Sequence, residues 1–487
     1  MQKHKDSFIK IGFIYAVGQV LSKALSFILL PIYTRQLGTV GYGQLALADT
    51  VLDFIGAFTI LGVYSGYYRF YREYDEKDRR KLKNTAINFA LILSVFDILL
   101  VVLIGQPVAK LIFKFDNNYE ILILIIIRSI LTQLVTMLMC DYTLNYKATI
   151  AVTTNLVNLI LNLGFSIFFV VYLKQNIVGV YKGYIYSNFI IFIYLFYKNL
   201  KYYRLEFDMS MLKNMLTFSG GLILGNISST ILTLSDRYFL AGYKTYSETG
   251  VYSIGYKFGM LIDPLFISPF KSVFTPYKFQ IWKNEDAQEK FNDMFNKYHF
   301  YGLFILLAIS LYSKFIISIF TTKEFINAYK IVPLILFSYF LYGKTEFYIL
   351  GIQIRNKTYI SSFVILTSGI CNLILNFLLI PKYGMYGATF ATLISYIIIN
   401  FLYIFIAIPM INIRFNFYKT FIYYLISFII YLLYLSFTKI YDNITFEIIF
   451  SMILLIIYIL SCIKLKLIKK DYINKVLIYI KTKLALF

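Results

Sequence analysis

Residues 121–141 have the sequence ILILIIIRSILTQLVTMLMCD, in which one arginine interrupts an otherwise apolar run. A run of about twenty such residues, folded as an α-helix, crosses the bilayer core of about 30 Å. Similar runs recur along the whole chain, in which hydrophobic residues make up 59% and charged residues 15%. A soluble protein of this composition would lack the polar residues needed to cover its surface. The sequence therefore predicts an all-α polytopic membrane protein.

The apolar runs, bounded by charged or turn residues, predict about fourteen transmembrane helices. Those of the first half are Ile11–Tyr33, Gln44–Tyr67, Ala86–Phe113, Ile121–Asp141, Ala151–Leu173 and Val178–Tyr197. Those of the second half are Leu216–Ala241, Val251–Tyr277, Phe300–Phe320, Tyr329–Ile352, Ser361–Ile380 and Met385–Ile411, followed by Phe421–Phe437 and Phe446–Ile463. No connection between these runs is long enough for a folded domain of its own.

The chain carries 47 Lys and Arg against 25 Asp and Glu, a formal net charge of +22. With the N-terminus in the cytoplasm, roughly 30 cations fall on the cytoplasmic side and about eight on the other side. Lys83 and Lys278 are counted among the cations of cytoplasmic connections. Both termini are therefore predicted to be cytoplasmic. The cations occur in short clusters between apolar runs. This pattern excludes a nucleic-acid-binding protein, whose positive charge lies on a folded, solvated face.

The sequence NLILN occurs twice, at residues 158–162 and 372–376. The segment TVGYG at residues 39–43 is similar to TGVY at residues 249–252, and further matches share an offset of about 205 to 215 residues. That offset equals about six helices, so the matching helices keep their direction across the membrane. The repeat predicts two six-helix lobes, residues 1–205 and 206–412, with a substrate site between them. Residues 413–487 would add two helices and a basic cytoplasmic tail.

The repeated segment places asparagines four residues apart on one helical face in each copy. These polar stripes are Asn158 and Asn162 in the first half, and Asn372 and Asn376 in the second. One interpretation is hydrogen bonding between helices. The other is a polar stripe that faces the substrate, and the sequence leaves both open.

An ionisable residue at the middle of a bilayer costs at least about 2.5 kcal/mol, so it requires a partner, a wet cavity or a function. Five cations in predicted spans indicate a cationic central cavity that binds substrate: Lys23, Arg128, Arg237, Lys257 and Lys344. Three carboxylates, Asp49, Asp53 and Asp97, are candidates for binding a coupling H⁺ or Na⁺, since a buried carboxylate readily changes protonation. The alternative is structural ion pairing, for example of Lys23 with Asp53 or of Lys344 with Glu346.

Catalytic motifs are absent from the sequence. It has no G-x-x-x-x-G-K-[ST] phosphate loop, no H-E-x-x-H, no G-x-S-x-G and no D-x-D. Three cysteines far apart in the chain indicate neither a disulfide framework nor a metal site. We therefore expect a protein that is not an enzyme, with no catalytic residues, no metal and no cofactor beyond a coupling ion.

Three segments carry a resemblance to a known family. They are LLPIYTRQLG at residues 29–38 followed by GYG at 41–43, DRYFLAG at 236–242 followed by TGVYS at 249–253, and the Asn-rich eleventh run continued by YGMYGA at 383–388. These residues resemble Wzx-type polysaccharide flippases of the multidrug/oligosaccharidyl-lipid/polysaccharide (MOP) exporter superfamily. The resemblance extends over about residues 8–412, and the two additional C-terminal helices fit flippases better than twelve-helix drug exporters.

The resemblance implies a MATE-like, inverted-V fold in the bacterial cytoplasmic membrane. It implies transport of an undecaprenyl-diphosphate-linked oligosaccharide, such as an O-antigen, capsule or exopolysaccharide repeat unit, by alternating access and driven by an ion gradient. The cavity cations would neutralise the diphosphate. Partners would be the lipid bilayer, a glycan polymerase and a chain-length regulator. The alternatives are a cation-coupled multidrug exporter and a lipid II flippase of the same fold. A membrane polymerase or ligase is disfavoured because no large outward loop is present.

Overall fold

The computed structural model describes residues 2–59, 62–411, 413–440 and 443–467. Every regular element in these ranges is helical, which confirms the predicted all-α class. The helices of the first half are α1 (Gln2–Thr59), α2 (Val63–Phe70), α3 (Glu76–Ile112), α4 (Asn118–Leu144), α5 (Ala148–Ser166), α6 (Asn176–Asn199) and α7 (Met209–Tyr243). Those of the second half are α8 (Tyr246–Gly259), α9 (Ser268–Ile281), α10 (Ala287–Phe320), α11 (Val332–Tyr348), α12 (Leu350–Ile354), α13 (Tyr359–Tyr383), α14 (Met385–Ile406), α15 (Phe417–Ile440) and α16 (Ile444–Lys464).

Nine helices of the described ranges are long and apolar enough to cross a membrane. A tenth span results if Lys323–Lys330 and Val332–Ile354, which meet at 46°, are taken as one broken span. These ten coincide with ten of the predicted spans. The remaining predicted spans fall on α1, α2, α7 and the α8–α9 pair, so about fourteen spans are compatible with the structure.

Helix α1 contains the first predicted span and most of the second, which were expected to be separated by a loop. Its 58 residues are interrupted only at Gly38, whose φ of 60° and ψ of −172° are not helical. A residue without Cβ adopts this positive φ at little cost. One glycine therefore takes the place of a connection between two spans.

The described chain divides into two compact units. The first holds the described residues up to Gly250 together with Phe320–Glu324, and the second holds Val251–Ile319 and the described residues from Phe325 onward. Helix α7 packs against α1, α2 and α3 within the first unit. The predicted lobe boundary at residues 205 and 206 differs from this division, and the lobes derived from the repeat stay a prediction.

A buried ion pair joins several helices of the first unit. Lys83 of α3 pairs with Asp141 of α4, and its Nζ also donates to Asn199 Oδ1 of α6 at 2.6 Å. The hydroxyl of Tyr67 in α2 donates to the same carboxylate. The assignment of Lys83 to a connection was wrong, because α3 begins at Glu76 and carries this lysine into the helix packing. Four helices thus meet at one pair of opposite charges.

The N-terminus of α7 is capped by Asp208, which accepts hydrogen bonds from the backbone N–H groups of Ser210 and Met211 at 2.9 and 3.0 Å. Lys81 Nζ lies 2.7 Å from its other oxygen. The hydrogen bond from Lys81, followed by those from Ser210 and Met211, holds the pKa of the Asp208 carboxyl well below its usual value. This stabilisation is present above the unfolded pKa of about 3.9 and is lost as the pH falls toward the folded pKa.

Aromatic rings fill the core of the second unit, where α9, α10 and α11 meet. The ring centroids of Phe274 and Phe347 lie 4.3 Å apart, and those of Phe295 and Phe347 lie 5.1 Å apart. Tyr298 stacks on Phe340 at 4.9 Å. Such pairs contribute about 0.5–1.5 kcal/mol each beyond the area they bury. The high Phe and Tyr content of the chain therefore has a structural use here.

Replacing Lys83 by Met is expected to lower the free energy of unfolding by about 3 kcal/mol, because the Asp141 carboxylate loses its buried partner. The measurement is thermal unfolding of the purified protein in detergent. The control is Glu76→Gln in the same helix, whose pair with Arg80 is 83% and 57% exposed. Exposed pairs contribute about 0–1 kcal/mol, so the control should unfold close to the parent. Equal losses in the two variants would contradict a buried role for Lys83.

Candidate functional site

An ion pair lies within the membrane-spanning helices of the first unit. Arg128 Nη1 of α4 lies 3.0 Å from Asp49 Oδ1 of α1. The hydroxyl of Tyr181, on α6, donates to the same oxygen at 3.1 Å. The Arg128 side chain is 15% exposed and that of Asp49 is 46% exposed. The pair therefore connects three helices while its carboxylate stays accessible.

Two tyrosines of α6 hold the Arg128 guanidinium. Its central carbon lies 3.7 Å from the ring centroid of Tyr184 and 5.2 Å from that of Tyr181. A cation over an aromatic face gains about 2 kcal/mol or more when it is shielded from water. The rings restrict the orientation of the planar guanidinium, whose fork of N–H donors fits carboxylates and phosphates.

Asp53 follows Asp49 by one helical turn on α1. Its side chain is exposed, and it forms no hydrogen bond or ion pair with the part of the chain that the structure describes. The formal charges of Asp49, Asp53 and Arg128 sum to −1. These three groups therefore carry a net negative charge, and the positive charge of Arg128 is more than balanced. The side chain of Lys23, the proposed partner of Asp53, lies outside the described residues.

In the first repeat copy, Asn158 bonds directly to a neighbouring helix, and Asn162 is linked to one through Ser166 of its own helix. Asn158 Nδ2 donates to Asn188 Oδ1 of α6 at 3.3 Å. Tyr33 of α1 donates to Ser166 Oγ at 3.0 Å, and Ser166 donates to Asn162 Oδ1 at 3.1 Å. These bonds favour the interhelical interpretation. Asn158 Oδ1 and Asn162 Nδ2 are nevertheless buried without a hydrogen-bond partner in the described ranges.

The second copy of the repeat lies on α13. Asn372 and Asn376 are buried, and Asn376 Nδ2 donates to Asn372 Oδ1 at 2.9 Å. The two side chains thus bond to each other along one helical face. Asn162, Asn372 and Asn376 are buried, whereas Asn158 is partly buried.

Arg237 of α7 lies beside a carboxylate on its own helix. Its Nη1 is 3.2 Å from Asp236 Oδ1 and donates to the backbone oxygen of Thr233 at 3.0 Å. The side chains of Arg237 and Asp236 are 9% and 2% exposed. The charge of Arg237 is therefore balanced locally, like that of Arg128.

The proposed pairing of Lys344 with Glu346 was wrong. Glu346 pairs with Lys278 of α9 and accepts a hydrogen bond from Thr275 Oγ1 at 3.0 Å. Residues two apart on a helix point in different directions, so Glu346 and Lys344 face different neighbours. Lys278 had been assigned to a connection, but its side chain is fully buried in α9. Lys344 is 6% exposed and donates to the Tyr424 hydroxyl at 3.1 Å.

The remaining candidates stand apart from these groups. Asp97 lies on α3 among exposed apolar residues such as Phe96 and Leu99, and its Oδ2 is buried without a hydrogen-bond partner among the described residues. Lys257 is half-buried on α8, in the second unit, together with Lys344. No group of three or more His, Cys, Asp or Glu residues in the described ranges could hold a metal ion.

Two segments related by the repeat pack backbone against backbone in the first unit. A Cβ on Gly43 would lie 1.8 Å from the backbone oxygen of Tyr246, and one on Gly250 would lie 2.2 Å from that of Thr39. Ser247 Oγ donates to Thr39 Oγ1 at 2.8 Å. We refer to the contact of residues 39–43 with 246–250 as the glycine seam. The sequence contained its signal, a glycine in each copy, but not the pairing.

Two adjoining cavities share Lys114 at the predicted outer end of the first unit. One, of about 670 Å³, is lined mainly by polar residues of the connections before α4 and α6 and of the N-terminal parts of these helices, among them Glu120, Gln175 and Lys182. The other, of about 240 Å³, has the aromatic side chains Tyr238, Phe239, Tyr243 and Tyr246 in its wall. Together they combine polar and aromatic surface.

Long apolar helices that carry ion pairs inside their membrane-spanning parts define a polytopic membrane protein. Residues 8–282 match the family described as "Polysaccharide biosynthesis protein". The chain belongs to this family, which confirms the resemblance to Wzx-type flippases.

Solved structures with the same fold include lipid II flippase MurJ in an inward closed conformation, at a TM-score of 0.70 and 16% identity over 94% of this chain and 99% of that one. An inward-facing multidrug resistance MATE family transporter of the MOP superfamily matches at a TM-score of 0.66 and 13% identity, over 80% of this chain and 95% of that one. These matches confirm the predicted MATE-like fold.

Two proteins of Haemophilus influenzae are similar in sequence. "Lsg locus putative protein 1" is 25% identical over 63% of this chain and 72% of its own length. An "Uncharacterized membrane protein" is 23% identical over 62% of this chain and 71% of its own length. Family and fold together support a membrane flippase or transporter.

A double-mutant cycle on Asp49→Asn and Arg128→Gln is expected to give a coupling free energy of about 1 kcal/mol or more in unfolding experiments. The half-exposed carboxylate of Asp49 keeps this value below that of a fully buried pair. The same cycle on Lys290 and Asp286, an exposed i,i+4 pair, should give about 0.3–0.5 kcal/mol. Equal coupling in the two cycles would show that the intramembrane pair is no stronger than a surface pair.

Gly43→Ala is expected to lower the unfolding midpoint by several degrees, a loss of about 2 kcal/mol or more, because the glycine seam must open to admit a methyl group. The control is Gly242→Ala at the end of α7, where a Cβ would meet no atom within 4 Å. Alanine has the higher helix propensity, so the control should be unchanged or slightly stabilised. An unchanged midpoint for Gly43→Ala would rule out the close approach.

Proposed function

We propose that this chain is a flippase that moves an undecaprenyl-diphosphate-linked oligosaccharide across the bacterial cytoplasmic membrane. The observation that carries the proposal is the guanidinium of Arg128, held inside the membrane-spanning part of the first unit with an accessible carboxylate partner. A guanidinium binds phosphate oxygens through parallel N–H bonds. Membership of a polysaccharide biosynthesis family supports a glycan as the group attached to that phosphate.

The geometry supports a mechanism of partner exchange. A diphosphate that reaches Arg128 competes with Asp49 for the same N–H donors. Once displaced, Asp49 lies one turn from Asp53, whose carboxylate has no ion-pair partner among the described residues, and two such charges in a low dielectric favour uptake of a cation or proton. Substrate binding on Arg128 and ion binding on Asp49 and Asp53 would therefore be linked. The lipid tail stays in the bilayer throughout.

The other predicted site residues take different places in this proposal. Lys23 in the first unit and Lys257 in the second stay candidates for neutralising the diphosphate. Arg237 is 9% exposed and paired with the buried Asp236, so it is poorly placed to exchange that partner for a substrate. Asp97 stays a second candidate for ion coupling because its buried oxygen lacks a donor. Lys344 is 6% exposed, which disfavours direct contact with a bulky substrate.

A lipid II flippase is the second candidate. The MurJ match covers 94% of this chain, whereas the MATE match covers 80%. The greater coverage of the MurJ match supports a fold with two additional C-terminal helices rather than the fold of a twelve-helix drug exporter. Lipid II and lipid-linked oligosaccharides share the diphosphate, so both would use Arg128.

We also propose that both termini lie in the cytoplasm. The proposed partners are a glycan polymerase and a chain-length regulator.

Arg128→Ala is expected to reduce surface polysaccharide at least about tenfold when it replaces the native gene, because the diphosphate loses its bidentate donor. Arg128→Lys should restore part of the activity, since a point charge remains. The control is Arg355→Ala, which removes an exposed arginine from the turn after α12. Surface polysaccharide is quantified at equal protein levels.

Mass spectrometry of lipid-linked intermediates distinguishes the candidates. Accumulation of a lipid-linked oligosaccharide in the Arg128→Ala strain supports the proposal, and accumulation of lipid II supports the second candidate. Normal amounts of both, together with normal surface polysaccharide, would refute a role for Arg128 in lipid-linked glycan transport.

A further inference from the structure

Three side chains in the second unit form a continuous hydrogen-bonded chain. Lys344 Nζ of α11 lies 3.1 Å from the hydroxyl oxygen of Tyr424 on α15. That oxygen lies 3.4 Å from Nε2 of His299 on α10, and His299 Nδ1 lies 2.7 Å from the backbone oxygen of Phe295. His299 has no exposed surface. The chain thus links two nitrogen bases through one hydroxyl.

The contact of His299 Nδ1 with the backbone oxygen of Phe295 fixes which group donates and which accepts in every hydrogen bond of this series. A backbone carbonyl only accepts, so His299 Nδ1 carries a hydrogen. In the neutral ring Nε2 is then an acceptor, and the Tyr424 hydroxyl donates to it. The oxygen of Tyr424 in turn accepts from the Lys344 ammonium. Each group therefore has a defined role as donor or acceptor.

No carboxylate pairs with Lys344 among the described residues. Glu346, the acidic residue nearest to it on α11, is bonded to Lys278 and Thr275. The other titratable groups around the chain are Tyr298 of α10, Tyr348 of α11, Tyr423 of α15, and Asp263 at the beginning of the segment before α9. Two positive charges in so dry a site repel each other strongly. The site therefore accommodates one positive charge, on lysine or on histidine.

We propose that Lys344, Tyr424 and His299 form a proton-binding site in the core of the second unit. In the internal step an N–H bond of Lys344 breaks as an O–H bond to Tyr424 forms, while the original O–H bond of Tyr424 breaks as the Nε2–H bond of His299 forms. The products are a neutral amine and an imidazolium. The total charge is unchanged, and no oxidant or reductant takes part. Loss of that one proton leaves the site neutral.

The site differs in kind from the carboxylates of the first unit. An acidic site is charged when its proton is absent, whereas this site is charged when its proton is present. Acidification would therefore remove a charge from the carboxylates of the first unit and create one at this site of the second unit. The inference does not depend on which substrate the chain moves.

The chain has two histidines, so His4→Gln leaves His299 as the sole imidazole. ¹⁵N-histidine labelling of this protein in lipid nanodiscs reads the tautomer and the imidazolium fraction directly. At neutral pH the ring should be neutral with its hydrogen on Nδ1. Lys344→Met should raise the imidazolium fraction at pH 5 at least about threefold, because a neighbouring positive charge no longer opposes it.

The control is Lys271→Met, which removes a cation of the same unit that lies over the Tyr342 ring and outside the chain. Its imidazolium fraction should equal that of the parent. If Lys344→Met does not fold, Lys344→Gln keeps a donor to Tyr424 without the charge and should give the same increase. An Nε2–H tautomer in the parent, or equal imidazolium fractions with and without the Lys344 charge, would overturn the proposal.

Discussion

The cost of an unbalanced charge in a medium that excludes water governs the packing of both units. Arg128 is paired with Asp49, Lys83 with Asp141, and Lys278 with Glu346. Each pair joins two helices, because a charge on one helix is matched by a charge on another. Breaking such a pair leaves one charge buried alone, which costs far more than the pair itself contributes. The pairs therefore restrict which helices can be neighbours and in which rotation.

Close backbone packing is the second constraint. Side-chain packing and interhelical contact, rather than water exclusion, hold helices together in lipid, so small residues are favoured where backbones meet. The glycine seam has this character, and its two segments come from the two copies of the repeat. The glycines in contact, Gly43 and Gly250, are not equivalent positions of the repeat, so each copy supplies its own small residue to the contact. Gly38 nearby lets α1 turn from one span into the next.

The sequence predicted the class and most span positions because hydrophobicity is read along one dimension. Charge partners depend on helix rotation and on which helices are adjacent, and neither is encoded locally. Glu346 was therefore assigned to Lys344, two residues away, although its partner is on α9. Lys83 and Lys278 were assigned to connections because a lysine beside an apolar run usually marks its end. The polar stripe of Asn158 and Asn162 was visible as a spacing, but the bond of Asn158 to α6 and the link of Asn162 to α1 through Ser166 were not.

A cation that must bind an anion and later release it is better paired than free. An unpaired guanidinium inside the membrane would be costly while empty and would hold a diphosphate too tightly when occupied. In the proposed mechanism Asp49 stabilises Arg128 while no substrate is bound, and it weakens substrate binding because it competes for the same donors. Lys344 shows the other arrangement, in which a hydroxyl and an imidazole replace the carboxylate. A carboxylate partner suits exchange with an anionic substrate, whereas a base linked through a hydroxyl suits exchange of a proton. A buried cation is thus stabilised by a carboxylate in the first unit and by a hydroxyl and an imidazole in the second.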